Sequence, residues 1–231
     1  MSTPRTGEMQ PSQKLAGLNS PGGTVPRRAH TTRMLAWVGV DCQRLEAARV
    51  VLGERGVRAT GSMVSCQQEG VETHSTSYSL ATDELGVMQR LNVRTMRAKG
   101  EQHVTITRSE EGIWLVDHGQ NAARTSFGGA LDVDLAFSPL FNALPVRRLG
   151  LHRSMGRHEL PMVFVTLPGL EVVRVSQTYR TVSLAGASEQ GELTVIGISS
   201  ESGDSGDSFE AEFTVDTDGL VMDYPGLAHR D

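Results

Sequence analysis

Along most of the chain, apolar and polar residues alternate with period two. Phe209, Ala211, Phe213 and Val215 fall on one face, against Glu210, Glu212 and Thr214 on the other. Val87, Leu91 and Val93 likewise oppose Arg90, Asn92 and Arg94, and Val104 and Ile106 point inward within Gln102–Arg108. Such alternation is the mark of half-buried strands. Polar turns punctuate it at Glu110-Glu111-Gly112, at 117–121, and at Asp216-Thr217-Asp218-Gly219, where Gly219 suits a positive φ. Ile113–Val116 and Leu220–Tyr224 are the returning strands, with Pro225 ending the last. Pro161–Leu167 is continuously apolar, which predicts a strand buried on both faces, and Pro168-Gly169 turns the chain. A long strand follows over Leu170–Leu184, carrying Val173, Val175, Gln177 and Tyr179 on one face. About a dozen strands joined by short turns predict antiparallel meanders.

The opening segments carry a weaker pattern. Structure is expected from Met34–Val40, with Gly53 and Gly56 bracketing a turn before a strand over Val57–Val64. Leu45–Leu52 fits helix or strand, and its Ala, Leu and Glu favour helix taken alone. Residues 1–32 are rich in Ser, Thr, Pro, Gly and Arg and are expected to form a disordered tail. Ser199–Ser208 is expected as a mobile acidic loop, and residues 33–231 as a single β-rich domain.

One stretch breaks the rhythm. Between Ala130 and Leu151 an apolar frame holds Asp132, Asp134, Asn142, Arg147 and Arg148. Ser138-Pro139 reads as a helix start, with Ser138 at the N-cap and Pro139 at the first helical position, and Pro145 should stop or bend the helix within two turns. Asp-Val-Asp-Leu at 132–135, Ser-Pro-Leu-Phe-Asn-Ala-Leu-Pro-Val-Arg-Arg-Leu at 138–149, Ser-Gln-Thr-Tyr at 176–179 and the segment 215–227 together resemble the signature of a bacterial family of glycolipid-binding proteins. The resemblance runs from about Trp37 to Arg230. It implies a strongly curved antiparallel sheet, a half-barrel or incomplete barrel similar to that of bacterial lipoprotein carriers, with one or two short helices. It also favours strand for Leu45–Leu52. The order meander, helix, further strands hints at two similar halves.

Net charge is −5 over 231 residues and is spread along the chain, which argues against nucleic acid as a partner. Cys42 and Cys66 make no disulfide framework and are expected as buried thiols. No apolar run has the length of a signal peptide or a membrane span, so a cytoplasmic protein is expected. The pattern implies no cofactor and no metal site, and it leaves the oligomeric state open.

Asp132 and Asp134, two apart on a strand, share a face and could hold a metal or move a proton. Pairing with Arg147 or Arg148 is the favoured reading, one arginine bonding inside the fold and the other facing water or an anionic headgroup. Gln177 and Tyr179 continue the apolar strip of Val173 and Val175, giving the polar end that an amphiphile requires. His118, His152, His158 and His229 read as surface residues, and no catalytic signature is present. The expectation is a non-catalytic protein that holds a lipid-like or glycolipid ligand on the concave face of the sheet. Its ligand-binding residues would be Asp132, Asp134, Asn142, Arg147, Arg148, Gln177 and Tyr179. An enzyme using Asp132 or Asp134, and a protein-interaction module, are the alternatives.

Overall fold

The computed structural model describes residues 30–40, 43–66, 72–186, 193–201 and 208–231. The first strands are β1 (Thr31–Gly39), β2 (Arg44–Leu52), β3 (Val57–Ser65), β4 (His74–Thr82), β5 (Met88–Arg97), β6 (Gly100–Arg108), β7 (Trp114–Asp117) and β8 (Ala122–Thr125). A 3-10 turn (Phe127–Gly129) leads to β9 (Asp132–Leu135), and helix α1 (Pro139–Leu149) follows. Then come β10 (Arg157–Val165), β11 (Val172–Ser183), β12 (Thr194–Glu201), β13 (Ser208–Val215), β14 (Val221–Tyr224) and β15 (Ala228–Arg230).

All fifteen strands form one sheet in the order β8-β7-β6-β5-β4-β3-β2-β1-β15-β14-β13-β12-β11-β10-β9. Every neighbouring pair is antiparallel except β9 and β10, which run parallel with α1 as the crossover between them. Laid flat, such a sheet would be roughly 65 Å wide. Its two edge strands, however, are joined by only the residues between Thr125 and Asp132, a reach of about 25 Å at most. The sheet must therefore coil, and it does so without closing into a barrel.

Coiling tucks the β9–β10 edge into the curve of the first eight strands. Val133, Leu135, Val163 and Val165 join the core made by Val93, Val104, Ile106 and Trp114. Met162, on the opposite face of β10, packs in a second core with Tyr179, Ile196, Ile198 and Phe213. The continuous apolar run at 161–167 is thus explained by burial on both faces. Two bonds to the segment before β9 secure the tuck: the Met88 amide donates to Leu131 O (2.9 Å) and Trp114 Nε1 to Ala130 O (3.2 Å).

Several expectations change. Leu45–Leu52 is strand, as the resemblance implies, because pairing with β1 and β3 outweighs its helical propensity. Met88 rather than Val87 faces inward, since the ladder slips at Ala81/Thr82. The sheet does not end at Tyr224: β15 carries His229 and pairs with β1. Phe209 is on the expected face but half exposed, whereas His152 is buried rather than superficial. Cys66 is exposed and free instead of buried. Cys42 lies outside the described residues, as do 1–29 of the expected tail and 202–207 of the expected acidic loop; Thr31, Thr32 and 199–201 are strand.

The helix outruns its proline. Pro145 removes one backbone donor, yet α1 continues to Leu149 and ends on Gly150 (φ 70°), whose amide and that of Leu151 bond to Arg147 O and Val146 O. Pro139–Arg147 are all buried, so packing offsets the missing bond. In consequence Arg147 and Arg148 stand on the last turn of the helix.

Candidate functional site

Helix α1 lies against the concave side and is anchored along its length by buried polar contacts. At its start, Ser138 occupies the N-cap, but its hydroxyl makes no capping bond. Ser138 Oγ donates instead to Glu46 Oε1 on β2 (2.6 Å), and Tyr78 Oη on β4 donates to the same oxygen (2.5 Å). Tyr78 reaches Glu46 across Gly61 of β3, where a Cβ would sit 2.3 Å from the phenol oxygen. Phe137, just before the cap, has φ 68°, a conformation that non-glycine residues seldom adopt, and its ring lies 4.4 Å below the Arg44 guanidinium. Burial pushes the Glu46 carboxyl up to about 7, against the lowering effects of the Ser138 and Tyr78 hydroxyls and of Arg44.

One turn on, Asn142 Nδ2 donates to Ser138 O (3.5 Å) and its Oδ1 accepts from Tyr179 Oη (3.0 Å). Gln177 Oε1 stands 3.1 Å from the same phenol, and Gln177 Nε2 donates to Asp134 Oδ2 (3.0 Å). Burial raises Asp134 to about 6, opposed by the bonds from Gln177 and the Leu135 amide. A polar chain thus runs from Glu46 through α1 to Asp134, between the two apolar cores. Asp132 is taken separately: Arg148 grips it with Nε (3.0 Å to Oδ1) and Nη2 (2.5 Å to Oδ2), and burial still holds its carboxyl above the ordinary range.

Arg147 behaves differently. It is only 3% exposed, yet its guanidinium meets backbone carbonyls: those of Asp218, Gly53 (2.8 Å) and Glu54 (3.3 Å). It therefore clasps the β2–β3 turn and the β13–β14 turn at once. Gly219 (φ 76°) permits the latter approach, since a Cβ there would lie 3.0 Å from Arg147 Cγ. Beside this clasp opens a cleft of about 270 Å³, lined by Thr31, Leu52, Gly53, Glu54, Arg147, Arg153 and Asp218.

Of the seven residues expected at a site, six form or flank the buried polar chain and one, Arg147, lines an open cleft. Both arginines bond inside the fold, Arg148 to Asp132 and Arg147 to backbone carbonyls, so the expected arginine facing water is not seen at these two positions, although Arg147 borders the cleft. Gln177 and Tyr179 do share a face, but Asn142, Val146 and Met162 fill the space beside them. Sequence reasoning missed Glu46, although once 44–52 is read as strand, period two puts it in phase with Ala48, Val50 and Leu52. It also passed over Thr31, Arg153 and Asp218, which come together only through long-range pairing, Thr31 and Asp218 across the β1–β15–β14 seam. Among the described residues, no group of three or more His, Cys, Asp or Glu is placed to hold a metal ion. No helix among them is long and apolar enough to cross a membrane.

A family model described as "Putative glycolipid-binding" matches residues 34–230. The chain belongs to this glycolipid-binding family. Among solved structures, a DUF1089 family protein from Pseudomonas aeruginosa shares the fold of this glycolipid-binding-family chain, with a TM-score of 0.61 and 23% identity over 80% of this chain and 91% of that one. No curated protein sequence matches it. Membership of the glycolipid-binding family supports a binding role in general.

Proposed function

We propose that the protein binds a glycolipid-like amphiphile without chemical conversion, recognising its polar part in the cleft beside Arg147. The observation that carries this reading is the cleft itself, an open depression at the rim of the concave face whose wall mixes two guanidinium groups, two carboxylates, a hydroxyl and the apolar Leu52. Its volume is near the lower end of small-molecule sites, roughly 300 Å³ and upward, which suits a headgroup better than a whole lipid. The apolar interior behind it is occupied by α1 and by the β9–β10 edge. The acyl chain of the ligand therefore stays in its bilayer, and the protein acts as a reader of headgroups rather than a carrier that extracts lipids. Asp132, Asp134, Asn142, Arg148, Gln177 and Tyr179 support the site by fixing α1, and Arg147 borders it.

Flotation with phosphatidylcholine vesicles tests the proposal. Vesicles carrying galactosylceramide or its sulfated form should retain the protein, and plain phosphatidylcholine should not. Thr31→Trp, which fills the cleft from an exposed position, should abolish retention. Equal recovery on all vesicles, or retention unaffected by Thr31→Trp, rejects it.

A further inference from the structure

The charges around this cleft do not balance. Arg147 and Arg153 both line it, and Arg33 stands just beyond, on Asp218. The Asp218 carboxylate is held by Arg33 Nε (2.9 Å) and Nη2 (2.5 Å), and that of the neighbouring Asp216 by Arg230 (2.8 Å). Glu54 is the second carboxylate of the wall, so the carboxylates of Glu54, Asp216 and Asp218 stand against the guanidinium groups of Arg33, Arg147, Arg153 and Arg230. Arg147 is surrounded by carbonyl dipoles, which satisfy its Nη groups without cancelling its charge, and among the described residues its buried Nε has no hydrogen-bond partner. Burial, with the charge of Arg153 adding to it, lowers the proton affinity of Arg147 below the ordinary arginine value, against the pull of Asp218 and Asp216. This is a local cationic excess in a chain whose net charge is −5.

We propose that the cleft selects an oxyanion, a sulfate, phosphate or carboxylate, and binds it through the guanidinium donors of Arg153 beside the fixed charge of Arg147. The inference rests on the headgroup reading and narrows it: the preferred ligand is an acidic headgroup, not a neutral sugar. Planar guanidinium forks match the paired oxygens of such groups, and hydrogen bonds to a charged acceptor are the stronger kind. Arg147, fixed by the two turns it clasps, contributes charge from below, and Arg153, exposed on the loop after α1, supplies the hydrogen-bond donors from the open side.

The test uses the full chain and two variants of equal charge, Arg153→Gln in the cleft and Arg124→Gln on the distant β8. Two probes separate the sources of an oxyanion: phosphatidylcholine vesicles carrying sulfated or unsulfated galactosylceramide, and inorganic phosphate in a thermal-shift series. Wild type and Arg124→Gln should favour the sulfated lipid by about tenfold, and Arg153→Gln should lose that preference. If phosphate alone raises the melting temperature through Arg153 while the two lipids bind alike, the oxyanion is a free ion and the inference holds in that form. Equal binding of the two lipids with no Arg153-dependent phosphate response overturns the inference but leaves the headgroup reading standing. Failure of both lipids to bind rejects that reading, and with no phosphate response it rejects this inference too.

Discussion

Ser138 Oγ donates to Glu46 Oε1 at 2.6 Å, so the hydroxyl that heads the helix is committed to a carboxyl 92 residues earlier in the chain. Burial lifts that carboxyl from its ordinary 4.5 to about 7. The folded state therefore holds the proton more tightly than the unfolded chain. The stabilisation is complete below pH 4.5 and is lost as pH rises through 7, an effect of order 3 kcal/mol. Wild type should melt at a higher temperature at pH 5 than at pH 8, and Glu46→Gln should flatten most of that difference. Asp134, raised from 3.8 to about 6, leaves a residual slope of the same sign at lower pH. Identical pH profiles for wild type and Glu46→Gln would remove Glu46 from the account.

Arg148 and Asp132 form a buried ion pair, with side-chain exposures of 11% and 1%. Removing one partner strands the other charge, so Arg148→Met should cost about 3–5 kcal/mol in urea denaturation. Arg148→Met combined with Asp132→Leu should cost less than the sum of the two single changes. Strict additivity would show that the pair is not coupled.

Gly61 is predicted to be intolerant of a methyl group. With the phenol oxygen of Tyr78 2.3 Å and its Cζ 2.4 Å from where Cβ would stand, the ring must move and release Glu46. Gly61→Ala should destabilise by about 1–3 kcal/mol, although alanine ordinarily suits a strand better than glycine. A melting temperature at or above wild type would mean that the ring has room to shift.

The two cleft arginines should separate in an unfolding experiment. Arg147→Ala orphans three carbonyls and unclasps two turns, for a loss of about 2–4 kcal/mol. Arg153→Gln, on an exposed residue, should stay within about 0.5 kcal/mol of wild type. Comparable losses from both would make the cleft part of the scaffold.

What the sequence disclosed follows the reach of each interaction. Period two located β5, β6, β11 and β13, and an unbroken apolar run located most of β10, because these patterns are a local matter, and Ser138-Pro139 marked the helix start for the same reason. Val87 and Met88 exchanged roles because a bulge depends on the partner strand. Pro145 misled because its local penalty is outweighed by burial supplied from distant strands. At the site, Asp132 and Arg148 stood close enough in sequence to suggest a pair. Glu46 meets Ser138 only through the coiling, and Thr31 meets Asp218 only across the β1–β15–β14 seam, and nothing near them in sequence announces it.

The neighbouring positions of β1 and β15 bear on how the molecule assembles. Apart from the parallel β9–β10 crossover, each arm of the sheet grows by antiparallel pairing of consecutive strands, which closes quickly. The seam between the arms instead joins segments from opposite ends of the domain, fastened by Trp37 Nε1 to Val221 O (3.0 Å) across 184 residues. Zipping that seam carries the largest loop-closure entropy in the domain, so it is the expected slow step of refolding. Until it forms, the floor beneath the helix is missing, and the cleft, whose walls come from both arms, exists only in the finished fold.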